Sequence, residues 1–276
     1  MITRRRVLAG VSGLTLPALA GCGGRQAAPS SSYGAYSAHV PARPSGLDAV
    51  IDISHGVNVS DFAAVRRSNI LAVIHKATEG GDWFDNKYAI RRPQAEAAGL
   101  LWGAYHFGTR QYSGEQQAAT FLAAAQPGPK TLMALDLEPN DGNPRNTMDL
   151  PRAEGFVLAV QRATGRLPMV YTHPEWANGG VYGRKRLSLG QAITPGSILA
   201  RCELWLADYR EYPQMPYAWA DRGWKLWQYA ADEREGDRAY GDNSRAVHGL
   251  DFCDRNLFAG DADALYQFWN GRGARV

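Results

Sequence analysis

Short apolar runs alternate along this chain with stretches of helical period, and that alternation restricts the fold more than any other feature. The runs occupy residues 49–53, 70–74, 101–107, 131–137, 168–171, 203–206, 224–229 and 247–252. Several are almost continuously apolar, as strands buried on both faces must be. Between the first five lie helical stretches at 85–98, 114–125 and 151–164, the last opening on a proline suited to a first helical turn. Strand-helix order with eight strand candidates predicts an α/β fold, a single TIM-like parallel barrel whose site lies at the carboxyl ends of its strands. From 174 to 249 the helical signal fades, so a regular eightfold repeat of strand and helix is not expected.

The remaining chain divides by composition. Residues 1–21 hold Arg4, Arg5 and Arg6, an apolar stretch and no acid, which is the pattern of an export signal too short and Gly-rich to span a membrane. Thr3-Arg4-Arg5-Arg6-Val7-Leu8 resembles a twin-arginine motif, and Leu19-Ala20-Gly21-Cys22 resembles a lipobox. Acylation of Cys22 is therefore expected to anchor the protein to a membrane, although Ala18-Leu19-Ala20 also fits an ordinary cleavage site. Residues 22–46 are rich in Gly, Ala, Ser and Pro and read as a flexible tether; 47–276 form the barrel domain.

Charge follows the same division. The full chain has 30 basic and 27 acidic residues, and loss of the three arginines in residues 1–21 leaves it formally neutral. With no basic excess and no reading motif, nucleic acid is not an expected partner. Only Cys202 and Cys253 follow Cys22, too few for a thiolate zinc site, and whether they pair is open. No metal or cofactor motif is present, and Gly-x-Ser-x-Gly is absent. The histidines, His39, His55, His75, His106, His173 and His248, are scattered, and a structural or hydrogen-bonding role is expected for each.

Leu132-Met133-Ala134-Leu135-Asp136-Leu137-Glu138-Pro139 carries the most chemical information. Acids at i and i+2 of a strand share one face, about 6–7 Å apart at Cα. Two carboxylates that close do not both ionise readily in a dry pocket, so the pair divides into a proton donor and an anion, as glycosidic cleavage requires; taken alone, the same pair also fits solvated loop residues or a divalent-cation site. Pro139 holds Glu138 extended. Asp52 interrupts the apolar run 49–53, where an unpaired charge is costly, and Asp254 follows the last run. Because first and last strands of a closed barrel adjoin, Asp52 and Asp254 are expected to flank the same pocket. Lys76 is expected to compensate these acids. Tyr105, Trp205 and Tyr209 are expected to offer faces to sugars, and Lys76 and Gln228 are expected to bind substrate with them.

The segments Ile51-Asp52-Ile53-Ser54-His55, Lys76-Ala77-Thr78-Glu79-Gly80, Gly103-Ala104-Tyr105-His106-Phe107, Asp136-Leu137-Glu138, Trp205-Leu206-Ala207-Asp208-Tyr209, Trp227-Gln228-Tyr229 and Asp254-Arg255-Asn256-Leu257-Phe258-Ala259-Gly260 resemble, in order, the motifs of glycoside hydrolase family 25 lysozymes. The resemblance spans roughly residues 47–262. It implies a barrel of five β/α units followed by three strands, and cleavage of the β-1,4 bond after N-acetylmuramic acid in peptidoglycan, with no cofactor. It further implies that Glu138 is the general acid/base. Asp136 would support attack by the substrate's acetamido oxygen or the developing oxocarbenium ion, with Asp52 and Asp254 as orienting and electrostatic groups. One departure is local: His55-Gly56-Val57 stands where the family often has Gln-Gly after the serine. Two other readings stay open at this level, an acetamido-assisted glycosidase on chitin-like polymers and an inactive glycan-binding lipoprotein. A monomer is expected.

Overall fold

The computed structural model describes residues 45–233 and 247–272. The expected export signal, Cys22 and nearly all of the tether lie outside the described residues.

Eight strands close into a barrel: β1 (Leu47–Ile53), β2 (Ala72–Glu79), β4 (Leu101–Phe107), β5 (Leu132–Asp136), β6 (Met169–Thr172), β7 (Leu204–Ala207), β8 (Leu226–Glu233) and β9 (Cys253–Phe258). A two-residue strand, β3 (Trp83–Phe84), extends β2 as a hairpin at the rim. Pairing is parallel from β1 through β8. β9 runs against both β8 and β1 and seals the barrel. Helices α1 (Phe62–Arg67), α2 (Tyr88–Ala97), α3 (Gly114–Ala125) and α4 (Leu150–Thr164) follow β1, β2, β4 and β5. Between β6 and β7 come only two four-residue helices, α5 (Pro174–Ala177) and α6 (Ile198–Arg201). Five β/α units followed by three strands is thus the architecture observed.

Alternation sorts the side chains. Val50, Ile74, Ala134, Met169, Tyr171 and Trp205 point into the barrel, where Leu265 of α7 (Ala262–Gln267) and Trp269 join them. Ile51, Val73, Leu135, Val170 and Leu206 point outward and pack with the helices. Helix ends carry the expected chemistry: Ser113 and Gln116 make a capping box on α3, and Asp149 caps α4. Gly114 is required where α3 crosses α4, since a Cβ there would run into the Arg152 carbonyl and the Phe156 amide.

Strand limits shift from the sequence expectation, and two of the shifts bear on the site. The final strand is 253–258, not 247–252, because its side chains are polar for tertiary reasons: Arg255 reaches Asp48 at 2.6 Å and Asn256 reaches Asp52 at 2.8 Å. The second strand extends to Glu79, so Lys76 lies within it rather than beyond it. Cys202 and Cys253 are buried free thiols; burial pushes Cys202 up to about 12 and also raises Cys253. No helix among the described residues is long and apolar enough to cross a membrane.

Two buried histidines tie helices to the barrel wall. The Gln117 amide nitrogen donates to the Thr109 carbonyl and its oxygen accepts from the Thr109 amide, so that oxygen also faces His106 Nε2 at 3.1 Å. His106 is therefore the neutral Nε2–H tautomer, with Nδ1 accepting from Thr78 at 2.8 Å. His75 donates Nδ1–H to the Lys76 carbonyl and accepts from Arg91 at Nε2. Burial lowers His106 from 6.5 to about 3, and His75 to about 4 despite the opposing pull of Asp85. Unfolded imidazoles take up protons below about 6.5 while these do not, so acidification favours unfolding. The stability they contribute is complete above that pH and is lost as pH falls toward 4 and then 3. The thermal midpoint is expected to fall steadily through this window, and less steeply in a His106→Gln variant; a flat profile in the parent protein contradicts this account.

Candidate active site

The carboxyl ends of the parallel strands gather the acids because β9 is antiparallel: its beginning lies at the same end as the finish of β1. Asp52 and Asp254 are directly opposed across the β1–β9 pair. Like charges facing across a ladder repel, and an amide stands between these two. Gln228 Nε2 is 2.9 and 3.1 Å from the Asp52 oxygens and 3.3 Å from Asp254 Oδ2. Asn256 adds a third N–H to Asp52 at 2.8 Å. The Gln228 oxygen accepts from the hydroxyls of Tyr171 (2.9 Å) and Tyr209 (2.8 Å), which fixes the amide's orientation.

Tyr171 carries the network to the opposite wall. It stands in register with Asp136, the last residue of β5, which is buried. Leu137 turns outward into the helix layer, and Glu138 follows on the inner side, as the two-residue period requires. Glu138 Oε2 lies 3.3 Å from His173 Nε2 at the end of β6. The His173 ring is stacked on Tyr182 (centroids 4.0 Å, 27°) and meets Tyr171 and Tyr209 edge-on.

The expected sugar-facing residues divide. Tyr209 is 47% exposed and Tyr105 is half-buried. Trp205 is only 2% exposed: its indole donates to Asn256 at 2.6 Å and packs against Tyr105 and Tyr171, a supporting position beneath the acids. Gln228 is likewise buried and serves as a strut. Lys76 pairs with Glu79 at 2.6 Å and lies 4.9 Å from the ring centres of Trp83 and Phe107. Trp83 is partly exposed, so a cation and an indole stand together at the rim. Sequence reasoning gave His173 a structural or hydrogen-bonding role without its partner, and named none of Tyr171, Asn256 and Trp83 as a site residue. For His173 the available signal was its place immediately beyond an apolar strand, where barrel sites are built.

The sequence profile described as Glycosyl hydrolases family 25 matches residues 51–237. The chain belongs to that family. This family 25 hydrolase is 27% identical to Lysozyme M1 of Streptomyces globisporus over 244 residues, covering 83% of this chain and 74% of the relative. It is 27% identical to an N,O-diacetylmuramidase of Arthroderma benhamiae, over 54% of this chain and 67% of that one. Among solved structures it is similar to the bacterial lysozyme of Streptomyces coelicolor, with TM-score 0.67 and 26% identity over 82% of this chain and 98% of that one. It is also similar to the muramidase of Acremonium alcalophilum, with TM-score 0.62 and 27% identity over 80% of this chain and 98% of that one.

For the acid/base role expected of Glu138 in this hydrolase, the His173–Glu138 contact has one consequence. Whichever partner holds the hydrogen, the bond restrains the carboxyl group against the β6 wall. His173→Phe is expected to lower kcat by about tenfold with little change in KM, and His173→Gln, which retains a donor, to recover most of the loss. Equal behaviour of the two variants contradicts the positioning role.

Proposed function

We propose that this protein is a muramidase, cleaving the β-1,4 bond between N-acetylmuramic acid and N-acetylglucosamine in peptidoglycan. The observation that supports the reading is the placement of Asp136 and Glu138, at and just beyond the end of β5, at the same end of the barrel as the opposed Asp52 and Asp254 of β1 and β9. In this reading Glu138 protonates the glycosidic oxygen as the bond to the sugar carbon breaks. Asp136, buried below, holds the substrate's acetamido group or supports positive charge at that carbon. Once the leaving sugar departs, Glu138 accepts a proton from the incoming water. Asp52 and Asp254, bridged by Gln228, set the field of the pocket floor. Similarity to a lysozyme and to an N,O-diacetylmuramidase supports the substrate class.

Digestion of purified peptidoglycan, followed by borohydride reduction and mass analysis, tests this. New muramic acid reducing ends are expected; glucosamine ends point instead to chitinase-like cleavage, and no product leaves an inactive binder.

The delivery of the enzyme is part of the same proposal. Residues 1–21 direct export, Cys22 takes the lipid, residues 22–46 tether the barrel, and it works as a monomer on the wall. Leu19-Ala20-Gly21-Cys22 supports the anchor. Cys22→Ala is expected to shift the protein from the membrane fraction to the soluble one; a variant that stays membrane-bound overturns the lipid anchor.

A further inference from the structure

We infer that a basic hairpin beside Glu138, Tyr182 to Leu187, is a docking site for the carboxylates of the peptide stems carried by the muramic acid residues of the substrate. This rests on the muramidase reading. Tyr182 and Leu187 exchange backbone hydrogen bonds of 2.8 and 3.0 Å, and the Arg186 amide closes the turn on the Gly183 carbonyl at 3.1 Å. Gly183 and Arg186 both have left-handed backbone, with φ of 77° and 52°. The tip therefore presents Arg184, Lys185 and Arg186 in succession, all exposed.

Two attachments fix this tip to the catalytic wall. The Asp141 carboxylate, three residues after Glu138, accepts the backbone amides of Arg184 (3.0 Å) and Lys185 (3.1 Å). At the hairpin base, Tyr182 stacks on the His173 ring that touches Glu138. Because the backbone amides do the anchoring, the cationic side chains remain available to solvent. Arg184 Nε stands 3.7 Å from Asp141, and neither Lys185 nor Arg186 has an ion-pair partner among the described residues. Arg210 and Arg152, by contrast, are committed to acids at 2.8 and 2.6 Å.

Three cations in succession are conspicuous because the chain without residues 1–21 is formally neutral. The charge is local, so its partner is recognised locally. A separate wall polymer has no need to bind beside the scissile bond. A stem peptide does arise there, since it hangs from the sugar whose linkage is cut, and it carries free carboxylates that suit Arg and Lys. A chitin-like chain offers none.

The test compares glycan strands with intact stems and strands stripped of stems by an amidase, with the lactyl carboxylates that the amidase frees converted to methylamides by carbodiimide coupling. The parent protein is expected to show a kcat/KM about tenfold higher on stem-bearing strands at low salt, with the preference collapsing near about 0.5 M salt. In R184Q/K185Q/R186Q the preference is expected to fall to about unity while activity on stripped strands is unchanged. R184K/R186K, which keeps the charge, is expected to retain the preference. A parent enzyme that cuts both strands equally well overturns the inference alone, as does a triple variant that keeps its preference or loses activity equally on both. A parent enzyme that cuts neither overturns the muramidase reading itself.

Discussion

Glu138→Gln is expected to lower kcat on purified peptidoglycan by at least about 10³-fold, without loss of the folded state. The amide keeps the size and hydrogen-bonding capacity of the carboxyl group and still faces His173, so the strand end is preserved. What it lacks is a transferable proton. With no donor, the leaving oxygen must depart as an alkoxide, and the whole benefit of acid catalysis disappears. Release of soluble fragments and the thermal midpoint, measured on the same preparation, separate chemistry from folding. A variant within about tenfold of the parent, at an unchanged midpoint, removes Glu138 from its role.

The second large effect is expected from Asp136→Asn, about 10²- to 10³-fold in kcat with KM changed little. Asp136 is buried and in register with Tyr171 of the neighbouring strand, whose hydroxyl donates to Gln228. Asn fits the same space, yet replaces a negative charge with a dipole where positive charge develops at the sugar carbon. That charge arises only in the transition state, so the loss belongs in kcat. A loss confined to KM contradicts this role and assigns Asp136 to ground-state binding.

Several parts of this site were legible as text. Asp136 and Glu138 end an apolar run, and the two-residue period alone places them on one face. The position of Asp52 inside an apolar run signals a buried charge that needs partners. Those partners were not legible. Gln228 and Asn256 are separated from Asp52 by 176 and 204 residues, and no local rule brings an amide to a carboxylate across that distance. His173 illustrates the same limit, since a lone histidine after a strand carries no sign of the glutamate it meets 35 residues earlier. The mistaken position of the last strand has a related cause. Apolarity was the criterion, whereas residues 254–256 belong to a strand because their polar groups are satisfied by β1 and β8. Trp205 errs in the opposite sense: its motif suggested a sugar platform, and closure of the barrel buried it against Tyr171 and Asn256.

The sequence by itself determined the α/β barrel, the helical stretches at 114–125 and 151–164, the paired acids at the end of β5 and the formal neutrality of the chain beyond its first 21 residues, because each follows from side-chain periodicity, a proline in a first helical turn or simple charge. Tertiary structure alone decided which neighbours those acids have. Barrel closure through an antiparallel β9 sets Asp254 against Asp52 and lets Gln228 bridge them, while Asp141 and His173 hold the Tyr182–Leu187 hairpin near Glu138. Those contacts join distant segments, and their geometry exists only once the ring of strands is complete.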